Sequence, residues 1–153
     1  MLSKKSKYAF RALLALARRK DSEPVLIATL AKQESIPKKF LELILLELKN
    51  TGMLQSKKGK GGGYFLAKKP EEISLGDVIR TLEGPLAPLP CVSHTAYRKC
   101  KECDDEKTCG IRSIFNDVRD ATAGILDGTS LVDVLHRTTT LEQEKKHVLV
   151  YAI

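Results

Sequence analysis

The residues with the clearest chemistry are four cysteines that lie close together in the second half of the chain. The sequence contains no others, and these four fall within 19 residues: Cys91, Cys100, Cys103 and Cys109. Four thiolates form the closed tetrahedral set that zinc prefers, and they are also common ligands of iron–sulfur clusters. Their spacing fits both kinds of site. We therefore predict a metal site formed by these side chains, with an iron–sulfur cluster and zinc as the two candidates.

Other roles for these thiols are ordinary packing and a disulfide-based redox switch. Packing is disfavoured, because the segment is rich in Lys, Asp and Glu. We expect a cytoplasmic protein, where thiols stay reduced and clustered cysteines usually serve metal or redox chemistry. The basic start of the chain is not typical of a secretory signal, since Arg11 interrupts its apolar stretch. No apolar run approaches the roughly 20 residues of a membrane span, so no membrane partner is expected.

The charge of the chain is concentrated in its first half. Residues 1–69 carry 16 Lys and Arg against 5 Asp and Glu, a net charge of +11. Residues 70–153 carry 10 against 14, a net charge of −4. An excess of positive charge confined to one half indicates a polyanionic partner for that half.

Three helical patterns in the basic half predict a helix-turn-helix. Ser3 can cap a first helix that runs to about residue 19. A short second helix covers 26–31, and Pro37 suits the first position of a third helix that ends before Gly52. Lys38 and Lys39 lie near the start of that third helix, which is the recognition helix of the motif.

A glycine- and lysine-rich loop between two short strand patterns predicts a β-wing. The strands cover 53–56 and 63–66, and Tyr64 is expected to pack the wing. The residues between them that we expect to contact DNA backbone or minor groove are Lys57, Lys58, Lys60 and Gly61. A nucleotide-binding phosphate loop is the rival interpretation, but it requires a helix after the loop, whereas the sequence continues as a strand.

The predicted fold is mainly α with a small β-wing, in five segments. Residues 1–69 form the winged helix-turn-helix domain, and 70–90 form a connecting helix and linker. The cysteine loop covers 91–108, the dimerisation helix and a short helix over 131–136 lie within 109–137, and 138–153 is a tail.

The long helix after the cysteine loop carries an apolar stripe that predicts a homodimer. Its residues recur at helical spacing: Ile111, Ile114, Phe115, Val118 and Ile125. Two such helices packed antiparallel across a twofold axis would bury the stripe. The alternative is packing on the first helix of the same chain, and both arrangements are compatible.

The sequence resembles the family of bacterial winged-helix regulators that includes IscR, NsrR and CymR, to about residue 136. The resemblance rests on residues 3–9, on Ile-Pro-Lys-Lys-Phe-Leu-Glu at 36–42 and on the Gly-Gly-Gly-Tyr of the wing at 61–64. Ser-Leu-Gly-Asp-Val-Ile at 74–79 and Cys-Gly-Ile-Arg at 109–112 complete it.

This resemblance implies a homodimeric transcription factor, usually a repressor, that binds a partly palindromic operator in double-stranded DNA. It implies an iron–sulfur cluster, 2Fe–2S or 4Fe–4S, that need not survive purification. Members such as IscR have a histidine ligand three residues after the last cysteine, where this chain has Arg112. The fourth ligand is therefore Cys91, His94 or a group from the other subunit. A zinc-stabilised or cluster-free, CymR-like regulator is the alternative function.

The expected DNA contacts follow from the same elements. Glu42 coincides with the base-reading glutamate of IscR-like members and can accept a hydrogen bond from cytosine N4; its alternative role is a solvated partner of Lys38 or Lys39. Ser3, Lys4 and Lys5 are expected to contact DNA at the start of the chain. No Ser-His-Asp set, nucleotide loop or second cluster motif indicates an enzyme.

Overall fold

The structure is a computed structural model that describes residues 2–19 and 23–151. The described helices are α1 (Lys4–Ala17), α2 (Ile27–Gln33), α3 (Lys38–Asn50), α4 (Leu75–Glu83), α5 (Gly110–Asp127) and α6 (Leu131–Tyr151). Two strands, β1 (Leu54–Lys57) and β2 (Gly63–Leu66), pair antiparallel, and 3-10 turns occupy Pro70–Glu72 and Pro90–Val92. The predicted fold class, mainly α with a small wing, is confirmed.

The core lies where α1 crosses α3. Apolar side chains at helical spacing leave one buried face on each helix, because residues three and four apart lie on the same side. The buried residues of these two helices are Ala9, Ala12, Leu13, Leu16, Leu41, Ile44, Leu45 and Leu48. α2 adds Leu30 to this core and turns into α3 through Ser35, whose φ of 50° is a left-handed conformation.

Glycine fixes the wing against the rest of the domain. Val25 forms a bridge with Tyr64 through two backbone hydrogen bonds of 2.9 and 2.8 Å, so the wing is attached to the segment before α2. Gly63 has a φ of 143°, and a Cβ there would lie 2.2 Å from the carbonyl oxygen of Val25. Only glycine allows this close approach of two backbones.

The C-terminal half begins and ends its helices at the predicted residues, with one exception. Ser74 caps α4, Gly84 follows it with a φ of 92°, and Cys109 caps α5. The sequence predicted only a short helix over 131–136, whereas α6 continues to Tyr151. Leu, Glu, Gln and Lys fill positions 141–146, and these residues favour helix continuation. The last two residues of the predicted tail lie outside the described residues.

The long helix α5 lies on α4 and on the 3-10 turn at Pro90–Val92. It is α6 that reaches α1, and its first residue, Leu131, is fully buried in the core. Every residue of α5 keeps part of its surface exposed. The alternative expectation is that the long helix α5 packs on α1. In the structure, α6 has more contact with α1 than α5 has.

Candidate functional site

A groove of about 490 Å³ runs between the recognition helix and the wing. Residues from α2, α3 and both strands line it: Leu26, Ile27, Ala28, Lys38, Glu42, Lys49, Ser56, Lys57, Lys58, Gly63 and Tyr64. The structure therefore brings the predicted residues of α3 and of the wing to one surface. Lys60 and Gly61 lie exposed at the tip of the wing, beyond this groove.

Charged side chains of this groove have polar partners within it. Lys38 Nζ lies 3.9 Å from the carboxylate of Glu42, one helical turn away, and Lys49 donates a 2.7 Å hydrogen bond to Ser56 Oγ. Exposed ion pairs contribute little free energy, about 0–1 kcal/mol. Glu42 therefore has the solvated lysine partner that sequence analysis considered, and this partner is weak enough to be exchanged for a base.

The start of α1 is held by a carboxylate from α4. Glu83 accepts hydrogen bonds from the backbone N–H of Ser3, at 2.9 Å, and from the hydroxyl of Ser6. The hydrogen bonds from Ser3 and then Ser6 lower the pKa of Glu83 to about 2. Lys5 pairs with Glu47 of α3 at 2.6 Å, and Lys4 is exposed. Of the three predicted DNA contacts here, Lys4 is thus the most open to a partner.

Sequence reasoning missed Glu83. It ends α4, where an exposed acidic residue is ordinary, and its partner Ser3 lies 80 positions away. The only available signal was the lack of an acidic residue in the first turn of α1, which leaves the positive end of that helix without a charged neighbour of its own.

Three of the four thiols interact directly. All four cysteines are free; Cys91 is buried and the other three are half-buried. A hydrogen bond with Cys109 is the main cause that raises the pKa of Cys103 to about 11, and Cys100 adds to the effect. The pKa of Cys109 is lowered, chiefly because the backbone N–H of Arg112 donates to its sulfur at 3.4 Å. Cys109 is therefore the thiol of this pair that favours the thiolate form.

Cys91 is connected with this trio through a cavity that it shares with Cys100. A cavity of about 370 Å³ is lined by both Cys91 and Cys100. The backbone carbonyl of Cys91 accepts a 3.1 Å hydrogen bond from Arg112 Nε, and the carbonyl of Val92 accepts one from Arg119. Arg112, at the position of the expected histidine, thus anchors the backbone of the loop to α5.

No three side chains of His, Cys, Asp or Glu converge on a metal position within the described residues. His94, the alternative ligand, is exposed. The chemistry of the four thiols fits a thiophilic metal, since Cys103 interacts with both Cys100 and Cys109, and Cys109 lies at a helix N-terminus, where thiolates are stabilised. The four cysteines thus lie in one region of the chain, but their sulfur atoms do not form a coordination site.

The predicted dimer stripe is exposed along α5. Ile111, Ile114 and Ile125 have exposed fractions of 66%, 62% and 70%, and Val118 is also exposed. Phe115 differs, since it lies half-buried at the border of the stripe. Steps of three, four and seven residues align the four exposed side chains along one line of the helix.

Comparison with known proteins identifies the class of this molecule. A family model described as "Rrf2: Iron-dependent Transcriptional regulator" matches residues 2–137. The chain belongs to the Rrf2 family. An rrf2-like HTH-type transcriptional regulator of Rhodobacter capsulatus is 41% identical over 138 residues, which cover 88% of this chain and 92% of that protein.

Two solved structures of named Rrf2 relatives have the same fold. CymR (YrzC), the global cysteine regulator of B. subtilis, superposes with a TM-score of 0.72 and 30% identity, covering 88% of this chain and 95% of that one. T. potens IscR superposes with a TM-score of 0.69 and 26% identity, covering 90% and 88%. The resemblance predicted from sequence is confirmed, and so is the winged-helix fold.

The Rrf2 assignment also decides the broad function. The family and these relatives are transcriptional regulators, so the chain is a DNA-binding regulator and not an enzyme. Among the described residues, no helix is long and apolar enough to cross a membrane.

Proposed function

We propose that this protein is a homodimeric transcriptional repressor whose affinity for its operator depends on the state of the cysteine loop. The observation that carries the proposal is the position of Cys109. Its sulfur caps α5 and also interacts with Cys103, so a change at the thiols acts directly on the first turn of the proposed dimer helix.

The exposed stripe of α5 supports the homodimer. A row of isoleucines open to water is unfavourable in a monomer, and an antiparallel pair of α5 helices would cover it. A twofold axis through α5 presents two recognition helices to a partly palindromic operator, with half-sites about one helical turn apart. The relative orientation of the two units then determines affinity.

Four thiols support a metal as the resident cofactor, and the description of the family as iron-dependent favours iron. Cys100, Cys103 and Cys109 would hold it, with Cys91, which shares a cavity with Cys100, as the fourth ligand. When bound, an iron–sulfur cluster supplies one-electron redox chemistry and reactivity towards oxidants. Ligation would order residues 91–108.

Side chains of this chain connect the loop with the DNA-binding helices. Arg112 and Arg119 tie the turn that bears Cys91 to α5. Arg80 joins α4 to Asp127 of α5 through two hydrogen bonds of 2.7 Å, and Glu83 joins α4 to the start of α1. A displacement of α5 is thus transmitted through α4 to the domain that contacts DNA.

The test is anaerobic purification followed by iron, sulfide and zinc assays and operator binding at one fixed salt concentration. We expect brown protein with iron and labile sulfide, and a difference in operator affinity between the metal-loaded and the metal-free form. Equal affinity of the two forms would refute control by the cofactor.

A zinc-stabilised or cluster-free, CymR-like regulator is the second candidate. It is favoured by the open arrangement of the thiols and by the superposition on CymR. Colourless protein with one zinc per chain would support the first variant of this candidate, and protein without metal whose operator affinity responds to thiol oxidation would support the second.

A further inference from the structure

The outward face of the recognition helix carries two leucines. Leu43 is 65% exposed and Leu46 is also exposed. They alternate with Lys39 and Asn50 at steps of four, three and four residues, which places all four on one line of α3. The buried residues of α3 lie on the opposite side of the helix. These leucines therefore point directly away from the protein's own core.

The surroundings of this line match a polyanion. Lys38 and Lys49 flank it on α3, Lys39 lies on it, and the lysines of the wing extend the same surface. Glu47, an acidic neighbour on α3, is already paired with Lys5 at 2.6 Å. An apolar protein partner would have to desolvate these ammonium groups, whereas phosphates on both sides of a DNA groove would neutralise them.

An apolar side chain in the major groove has one matching group on the base edges. The C5-methyl group of thymine is the apolar feature of that groove, and cytosine lacks it at the same position. Leu43 directly follows Glu42, the residue proposed to accept from cytosine N4. Because Leu43 cannot form a side-chain hydrogen bond, its selectivity must come from contact with such a methyl group.

We propose that Leu43 determines sequence specificity by contacting the C5-methyl group of a thymine in each operator half-site. This inference rests on the proposed operator binding through α3. Leu46, one turn further, continues the apolar line along the groove without being required at the same base. The preferred half-site therefore contains a thymine that is recognised by its methyl group alone.

The experiment begins by selecting binding sites from a random duplex library with the full-length protein. Each thymine of the selected half-site is then replaced by deoxyuridine, which removes only the methyl group, and affinities are measured at one salt concentration. We expect one position where deoxyuridine weakens wild-type binding by about fourfold, the value of one buried methyl group. Leu43→Ala should bind the thymine duplex more weakly and be indifferent to deoxyuridine at that position.

Two matched variants give the experiment its controls. Leu46→Ala should retain the methyl sensitivity at the Leu43 position, and Leu141→Ala, an equally exposed leucine on α6, should bind as the wild type does. Circular dichroism checks that each variant is folded. We expect all three to fold, because the substituted side chains are exposed.

Each contrary outcome has a distinct meaning. If no sequence is enriched, operator binding itself fails, and this inference fails with it. If sites are enriched but no deoxyuridine substitution weakens binding, or Leu43→Ala keeps full methyl sensitivity, only the inference is overturned. A change in the oligomeric state of DNA-free Leu43→Ala would also overturn it, because the leucine would then serve a protein contact.

Discussion

Glu83 places a negative charge at the N-terminal end of α1, whose own first turn contains no acidic residue. Ser3 and Ser6 donate to it, and the positive end of the helix faces it. Because these hydrogen bonds lower the pKa of Glu83 to about 2, the carboxylate is more stable in the folded protein than in the unfolded chain. Its stabilising effect is complete above the unfolded pKa of about 4.5 and is lost as the pH falls towards 2.

Glu83→Gln tests this residue. We expect the variant to be less stable than the wild type at pH 7 in urea unfolding, with a smaller difference at pH 3. The sign follows from the lowered pKa: at pH 3 the unfolded wild-type chain already binds a proton at Glu83 while the folded protein does not, so the stabilisation by the carboxylate is smaller than at pH 7. Glu142→Gln, which alters an exposed glutamate of α6, serves as the control and should show no comparable loss at pH 7. An equal deficit at both pH values would contradict the assignment.

Among the elements, α4 is the one that joins the DNA-binding half to the C-terminal half. It packs on α1 and on α5, and two backbone hydrogen bonds join its start to the start of α6: the N–H of Leu75 donates to the carbonyl of Thr129, and the N–H of Leu131 donates to the carbonyl of Ile73. The bidentate pair of Arg80 with Asp127 lies over Gly76, where a Cβ would come within 1.9 Å of the carboxylate. The hydrogen bonds of this pair raise the pKa of Arg80 and lower that of Asp127.

Gly76→Ala should therefore destabilise the protein although alanine favours helices over glycine by about 1 kcal/mol. The new methyl group displaces Asp127 and breaks its pair with Arg80. In an Asp127→Ala background the same substitution should become neutral or stabilising. A double-mutant cycle of urea unfolding measures both effects. Stabilisation by Gly76→Ala in the wild-type background would show that Asp127 moves aside without cost.

For the whole molecule, charge and apolar surface are separated. The positive charge belongs to residues 1–69, which contain the recognition helix and the wing, whereas the exposed isoleucines belong to α5. This separation leaves one surface for DNA and another for the proposed second copy of the chain. It also makes operator binding steeply dependent on salt, because each neutralised phosphate releases counterions.

Ile114→Glu should convert the proposed dimer into a folded monomer. Ile114 is largely exposed in the single chain, so the substitution costs little within the fold, whereas two glutamates near the twofold axis would oppose pairing. Sedimentation velocity reports the mass, and operator binding should fall at least tenfold as the second half-site contact is lost. Leu141→Glu, on α6, is the matched control. An unchanged mass for Ile114→Glu would move the interface away from α5.

Local signals in the sequence were sufficient for most of the fold. Ser74, Gly52 and the apolar spacing of α1, α3 and α5 act within one or two helical turns, so they predict where helices begin, end and bury a face. Contacts between distant residues have no such signal. The pairing of Glu83 with Ser3 and the anchoring of the cysteine loop by Arg112 depend on how the helices pack, and only the structure reveals them.

Cys109 stands at a helix cap, where serine would be the better choice for stability. Its sulfur is a weak acceptor for the N–H of Arg112, whereas a serine oxygen there contributes about 1 kcal/mol to a helix. The proposed role of Cys109 as a soft metal ligand would account for this weaker start of α5. Cys109→Ser separates these two properties: it should raise the free energy of unfolding of the metal-free protein while lowering the metal content.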